Sequence, residues 1–323
     1  MKLSTVRKVS LATASLLALS ALAACSSSGG SEIGGSGAES GKIRLAINTT
    51  VASLPAVVAD EYGYFEDEGL IVEMSTVADI SKVPPTLGKQ YDIGFGVQPM
   101  LIFAASKGID IVMVSGNAIT SEEKPEYLIM ARPDAGINGP EDFAGKTLGS
   151  PTLNGNIHTG TLYWLQQNGV DLNSVNSLQV PTPTMVDQLK AGLIDAAEMQ
   201  QPFIEMARQA GMVEAGYALG AVSDPTAMSS WQSARSWADA NPETIKKYRG
   251  ALDKAIQWIT DNDSKARELL SDFTGLDRAV IGDAPLSTFS TEMSVDSVKQ
   301  WDAPMRAVTS FDANLDYSTL IVQ

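Results

Sequence analysis

The sequence predicts an α/β protein of two facing halves with mostly parallel sheets, and three observations carry that prediction. The first is a repeat. Asp92-Ile93-Gly94-Phe95-Gly96-Val97-Gln98-Pro99 is matched by Asp195-Ala196-Ala197-Glu198-Met199-Gln200-Gln201-Pro202 at a constant offset (195 − 92 = 103). Ala104 pairs with Ala207 and Gly108 with Gly211 at the same offset, while upstream the match slips by one residue, Leu87 against Leu189. Each copy reads as a short buried strand, a turn and a helix opened by proline. Proline suits a first helical turn because that turn's N–H has no intrahelical partner. The second observation is a βαβ opening, whose helical crossover is what parallel strands need. The third is the run of strand, polar loop and helix units that follows.

In chain order, Lys42 to Asn48 alternates and ends in polar residues, as a strand entering a loop over Thr49 to Ser53. Leu54 to Tyr62 reads as a helix with Ser53 as cap and Pro55 in its first turn. Gly63-Tyr64-Phe65 ends it, and Leu70 to Met74 is the next strand. After the first repeat copy, Ile109 to Ser115 reads as a strand. A further strand around Tyr127 to Ala131 precedes Arg132-Pro133, and Pro140 to Phe143 is a short helical turn. Thr147 to Ser150 is a strand running into the polar loop Pro151 to Asn156. Ile157 to Gln167 is a helix closed by Asn168-Gly169. Val175 to Val180 is the strand before the second copy, and beyond Asp224-Pro225 helical patterns take over. Asn241 caps a long helix, Ser264 to Phe273 continues to Gly275, and Val295 to Val308 is the last helix.

The first residues read as an address. Lys2, Arg7 and Lys8 precede an apolar run from Val9 to Leu22. A basic start, a short apolar core and small closing residues make a secretory signal over residues 1–24, too short to span a bilayer, which takes ~20 apolar residues. Leu22-Ala23-Ala24-Cys25 resembles the bacterial lipobox, which implies a lipid on Cys25. That cysteine is the only one in the chain, so it has no intramolecular disulfide partner. Ser26 to Gly41 is dominated by Ser and Gly and reads as a flexible tether over residues 25–41.

Charge excludes some partners. The net charge is −15, and the signal contributes only Lys and Arg, so the body is more acidic still. Nucleic acid selects clustered Lys and Arg, so it is not expected as a partner, and neither is electrostatic binding to anionic lipid.

Five segments, in order, carry a specific resemblance: Leu54 to Leu70 (LPAVVADEYGYFEDEGL), Tyr91 to Gly96 (YDIGFG), Gly145 to Pro151 (GKTLGSP), Gln188 to Phe203 (QLKAGLIDAAEMQQPF) and Ala240 to Ile259 (ANPETIKKYRGALDKAIQWI). Together they resemble the bacterial solute-binding proteins of sulfonate, taurine, nitrate and thiamine-precursor importers, the NMT1/THI5-like family, from Ile43 to about Val308. The resemblance implies a two-lobed, type II periplasmic-binding-protein-like α/β fold with two chain crossings. Lobe one is then 42–127 with 223–323, and lobe two is 128–222.

In doubly wound sheets, ligands lie beyond the carboxyl ends of the strands. The candidate contacts are therefore Asn48, Thr49, Thr50, Gly96, Gln98, Asn154, Asn156, His158, Thr159 and Gln201, with Trp231 closing one wall at the second crossing. These loops carry neutral donors and no Lys or Arg, and helix N-termini there can hold an anion. Each pick has a plainer alternative. Asn-Gly pairs are commonly turns, a lone histidine usually makes a structural hydrogen bond, and a tryptophan is commonly core. Glu66-Asp67-Glu68 reads as a solvated turn. With one histidine and one cysteine, no metal site and no cofactor is expected.

The resemblance implies a monomeric, lipid-anchored receptor on the outer face of the cytoplasmic membrane. It would deliver a small organic solute, a sulfonate or carboxylate, to an ABC permease and its ATPase. A pyrimidine or other heterocycle ligand, and a sensor role, are the alternatives. An enzyme is not expected: relatives with iron or cofactor chemistry depend on cysteines that this chain lacks. No G-x-S-x-G elbow surrounds any serine.

Overall fold

The computed structural model describes residues 41–282 and 284–322. The signal, Cys25 and almost all of the tether lie outside these residues. Thirteen strands are found among the described residues. They are β1 (Lys42–Ile47), β2 (Ile71–Thr76), β3 (Ile93–Gly96), β4 (Ile111–Gly116), β5 (Ala118–Thr120), β6 (Tyr127–Ala131), β7 (Thr147–Ser150), β8 (Asn176–Gln179), β9 (Ala196–Gln200), β10 (Val213–Gly216), β11 (Thr226–Ala227), β12 (Ser230–Ala234) and β13 (Thr288–Phe289).

The strands make two five-stranded sheets of the same design. The first is ordered β2-β1-β3-β12-β4 and the second, read from its far edge, β8-β7-β9-β6-β10. In each, four strands run parallel and one antiparallel strand stands in fourth place, β12 or β6. A third, small sheet of β11, β5 and β13 accompanies the two chain crossings.

The repeat seen in the sequence is structural. Arg44 stands opposite Glu73 and Leu45 opposite Ile93; at the same offset, Thr147 stands opposite Asn176 and Leu148 opposite Ala196. Val77 N–H donates to the Ile47 carbonyl at 2.8 Å, and Val180 N–H to the Ser150 carbonyl at 2.8 Å. The repeated identities have physical reasons. Asp92 accepts from Arg44 N–H (2.8 Å) and the Arg44 guanidinium, and Asp195 from Thr147 N–H (2.9 Å) and Arg132. Gly108 and Gly211 end their helices at φ 79° and 82°, the left-handed conformation that glycine adopts without a Cβ clash. The N–H groups of Ile109 and Met212 then reach back to the carbonyls of Ala104 and Ala207.

The helices cover the sheets with apolar faces. Leu54–Glu61 and Pro242–Asp261 bury Val58, Tyr248 and Leu252 against the first sheet. Asn156–Gln167 places Leu165 against Ile129 and Ala196 of the second.

Several expectations need correction. β12 and β10 were not foreseen, and helix does not begin until Arg235. The last helix is two, Val295–Lys299 and Asp302–Val308, with buried Trp301 between them. Ser53 and Asn241 make no side-chain cap. Ser53 Oγ donates to Asn48 Oδ1 at 2.7 Å, and Asn241 Nδ2 to the Trp237 carbonyl at 2.8 Å.

Candidate functional site

A cavity of about 380 Å³ lies at the carboxyl ends of the parallel strands of both sheets. After β1 it takes Asn48, Thr49 and Thr50; after β2, Val77, Ala78 and Ile80; from the end of β3, Phe95 and Val97. The second sheet answers with Pro151 and Thr152 after β7, Pro181 to Pro183 after β8, and Gln200 at the end of β9. Many of these are repeat equivalents: Thr49 with Thr152, Ala78 with Pro181, Ile80 with Pro183, Val97 with Gln200. Tyr127, Phe203 and the Gly155-Asn156-Ile157 helix start complete the wall. No lining residue is Asp, Glu, His, Lys or Arg.

Three helices of eight residues or more present their starts here: Leu54–Glu61 through the preceding turn at Thr50, Gln98–Ser106 at Val97, and Asn156–Gln167 at Gly155. None carries a side-chain cap hydrogen bond. Elsewhere Asp79, Asp171, Asp277, Ser294 and Asp316 do cap their helices. The positive helix ends face an acceptor in the cavity together with those N–H groups that no backbone carbonyl takes. Leu54 N–H already bonds the Val51 carbonyl, Met100 N–H bonds the Val97 carbonyl, and Pro55 and Pro99 carry none.

The expected residues divide. Asn48, Thr49, Thr50 and Asn156 line the cavity. Asn48 Oδ1 accepts from Thr50 Oγ1 (3.0 Å) and Ser53, and Asn156 Nδ2 donates to the Met228 carbonyl at 2.9 Å. Asn154, at φ 59°, turns into a second, apolar cavity beside Pro84, Met100, Phe103 and Met305. Gly96, Gln98, His158, Thr159, Gln201 and Trp231 are not on the wall.

Each has a physical reason. Gly96 lies under Gln232, whose amide carbon would be 2.4 Å from an added Cβ. Gln98 and Gln201 are both 1% exposed, so neither faces the surface. The carbonyl oxygens of both side chains have no hydrogen-bond partner. Thr159 is buried, and His158 Nδ1 sits 3.1 Å from Glu198 Oε1. Trp231 is fully enclosed, edge-on to Phe95 at 5.9 Å and to Tyr248 at 6.0 Å. The core therefore holds it, and Phe95 supplies the wall expected from it.

Two ionisable groups mark the first crossing. Burial pushes the Glu126 carboxyl up to about 7. Burial and, second, the Glu126 charge raise the neighbouring Tyr127 phenol. The Glu126 carbonyl accepts Gln201 N–H at 2.9 Å, which ties this crossing to the second repeat copy.

Thr152 and Pro181 to Pro183 were missed by the sequence reading. The signal was present, because carrying Thr49 and Ala78 to Ile80 forward by the repeat offset lands on them.

Two like α/β sheets facing a cavity at their strand ends define the fold of periplasmic binding proteins, and solved structures of that class overlay on the chain. The aliphatic sulphonate-binding protein SsuA of Escherichia coli does so with TM-score 0.69 and 18% identity, over 81% of this chain and 90% of that one. The nitrate-binding protein NrtA of Synechocystis PCC 6803 does so with TM-score 0.74 and 14% identity, over 87% and 85%. A desulfurization enzyme, DSZB, shares the fold at TM-score 0.57 and 12% identity, over 82% and 92%. The chain belongs to the NMT1/THI5-like family, whose profile matches residues 50–266. Among curated relatives, the bicarbonate transport ATP-binding protein CmpC of Synechocystis is 28% identical over 73% of this chain, which spans only 38% of that relative.

Proposed function

We propose that this protein is the solute-binding receptor of an ABC importer and that it captures a small organic monoanion, a sulfonate or carboxylate, in the cavity between its two sheets. The observation that carries this reading is the convergence of three uncapped helix starts on a cavity without acidic or basic side chains. Such N–H groups and helix ends stabilise one negative charge, and the absence of Lys and Arg disfavours a dianion. Phe95, Tyr127 and Phe203 give the organic part of the ligand an apolar surface. The sulphonate- and nitrate-binding neighbours and the bicarbonate-transport relative support the same class of ligand.

In this reading the lobes are 42–127 with 223–323, and 128–222, and a permease and its ATPase receive the solute. The receptor is a monomer that works outside the cytoplasm, tethered through a lipid on Cys25. No helix among the described residues is long and apolar enough to cross a membrane, so the lipid would be the anchor. Loss of diacylglycerol labelling in Cys25→Ser checks that point. Binding without turnover is favoured because no carboxylate, imidazole, amine or thiol side chain lines the cavity.

A thermal-shift screen of residues 26–323 against short sulfonates, carboxylates, nitrate and pyrimidines tests the ligand class. At 100 times its Kd, a true ligand adds ~2.7 kcal/mol of stability. Stabilisation by sulfonates or carboxylates is the expected result. Stabilisation by neutral pyrimidines alone would overturn it.

A further inference from the structure

Two positions along the chain from cavity-lining residues stands an ionisable pair that the binding reading leaves unused. His158 Nδ1 and Glu198 Oε1 are 3.1 Å apart, with side chains 5% and 0% exposed. The second oxygen, Glu198 Oε2, is buried without a hydrogen-bond partner. Glu198 stands two positions before Gln200 on β9, and residues two apart on a strand share a face. His158 stands two positions after Asn156, at the start of its helix. Gln200 and Asn156 both line the cavity.

The repeat supplies an internal control. At the same offset, the equivalents of Glu198 and His158 are Phe95 and Pro55. The first half of the molecule builds the same sheet and helix start with no ionisable group at either position. The fold unit therefore does not require the pair, and burying it against an apolar interior is unfavourable without a compensating role.

We propose that the His158–Glu198 pair is a specificity-determining, proton-linked element of the anion site, an inference that rests on the monoanion reading above. With one shared proton the pair is neutral, whichever partner holds it. Without that proton it carries one negative charge, two strand positions from Gln200 of the wall. Charges interact strongly where water is excluded, so a bound anion disfavours the deprotonated pair. By reciprocity, loss of the proton weakens the anion's binding by the same factor. The arrangement admits an anion together with a proton.

Other titratable groups stand on the elements packed around the pair. On strands and helices around β9 these are Tyr127 and Arg132 of β6 and its end, Lys146 before β7, Asp187 and Lys190, and Glu205 and Arg208. Around the Asn156 helix they are Lys107, Glu141, Asp142, Asp171, Tyr217, Asp302 and Arg306. Of all these only Tyr127 is buried, and just before it stands buried Glu126. Glu126 is thus the group whose own titration has to be separated from the pair's.

The test is calorimetric titration of the full mature chain with methane-, propane- and benzenesulfonate, whose charge is constant between about pH 5.5 and 8.5. For the tightest of the three, wild-type affinity is expected to fall at least about fivefold across that range, toward the tenfold-per-unit limit of one linked proton. Glu198→Gln, neutral without a proton, should lose the dependence, and Glu126→Gln should keep it. Titrations in buffers of different ionisation enthalpy give a readout independent of any variant's folding: binding near the midpoint should take up a fraction of a proton per sulfonate. A pH-independent wild-type affinity, zero proton uptake, or an unchanged slope in Glu198→Gln would overturn the pair's role while leaving anion binding intact. No sulfonate binding at any pH would instead overturn the monoanion reading itself.

Discussion

At the scale of single residues, Glu126 makes the sharpest energetic statement. Its carboxyl is buried at the first crossing, and burial holds it near 7 in the folded protein against an ordinary value of 4.5. Below 4.5 the carboxyl is protonated in folded and unfolded chains alike, and nothing is lost. Between those values the folded state keeps a proton that the unfolded state releases, so stability falls as pH rises and the loss is complete above 7. A shift of this size corresponds to about 3 kcal/mol. Glu126→Gln stays neutral throughout. Urea midpoints from about pH 5 to about pH 8 should therefore show wild type losing stability relative to the variant by that order. A difference that stays flat with pH would mean Glu126 titrates alike in both states. Neither the charge nor the burial of this residue was legible in the sequence, where Glu126 is one acid in a polar stretch before a strand. That Gln98 and Gln201 do not line the cavity has a related reason. Their equivalence was visible, but their burial depends on what packs over them.

Among the elements, what was legible follows from backbone chemistry and what was not follows from long-range contacts. The repeat could be read because Asp, Pro and Gly hold positions that local geometry dictates. An acceptor is wanted at a strand start, a residue without N–H near a helix start, a residue free to take positive φ at a helix end. β12 could not be read because its sequence, Ser-Trp-Gln-Ser-Ala, has no apolar alternation. Its polar side chains are buried, and two of them reach partners distant in sequence. Ser233 Oγ donates to the Asp92 carbonyl at 2.6 Å, and Gln232 Nε2 to the Val97 carbonyl at 3.4 Å. The two aspartate junctions give the prediction at this scale. Asp195 is held below the usual carboxylate range: burial opposes this, but Thr147 N–H and Arg132 outweigh it. Asp195→Ala leaves Thr147 N–H without its acceptor, and Asp92→Ala does the same to Arg44 N–H. Both should cost about 2 kcal/mol in urea unfolding, and by similar amounts, with the exposed face of Arg44 adding little. A loss confined to one of them would show that matching geometry does not carry matching energy.

For the whole molecule, the cavity wall is shared by construction. Equivalent loops of the two sheets supply it in pairs, so a ligand touches both only when both stand in place. The connections between the sheets run through residues 117–127 and 216–230, close to the small β11-β5-β13 sheet. Their hydrogen bonds to the sheets and helices include Asn117 Nδ2 to the Ala52 carbonyl at 2.9 Å and Asn156 to the Met228 carbonyl. Two short crossings between two well-packed sheets suit a hinge, and a ligand that bridges both walls favours the closed population in proportion to its differential affinity. Solution scattering on the mature chain is expected to give a smaller radius of gyration with a saturating sulfonate than without it. Asn156→Ala removes a pin and a wall contact together, so its ligand-free radius should rise and its affinity fall. If binding is established by thermal shift while the radius stays constant, the two halves are already closed without ligand, and the solute must enter by local opening of the 78–80 or 181–183 loops. Substituting Pro181 and Pro183 with glycine would then speed association, whereas under hinge closure it would chiefly weaken affinity.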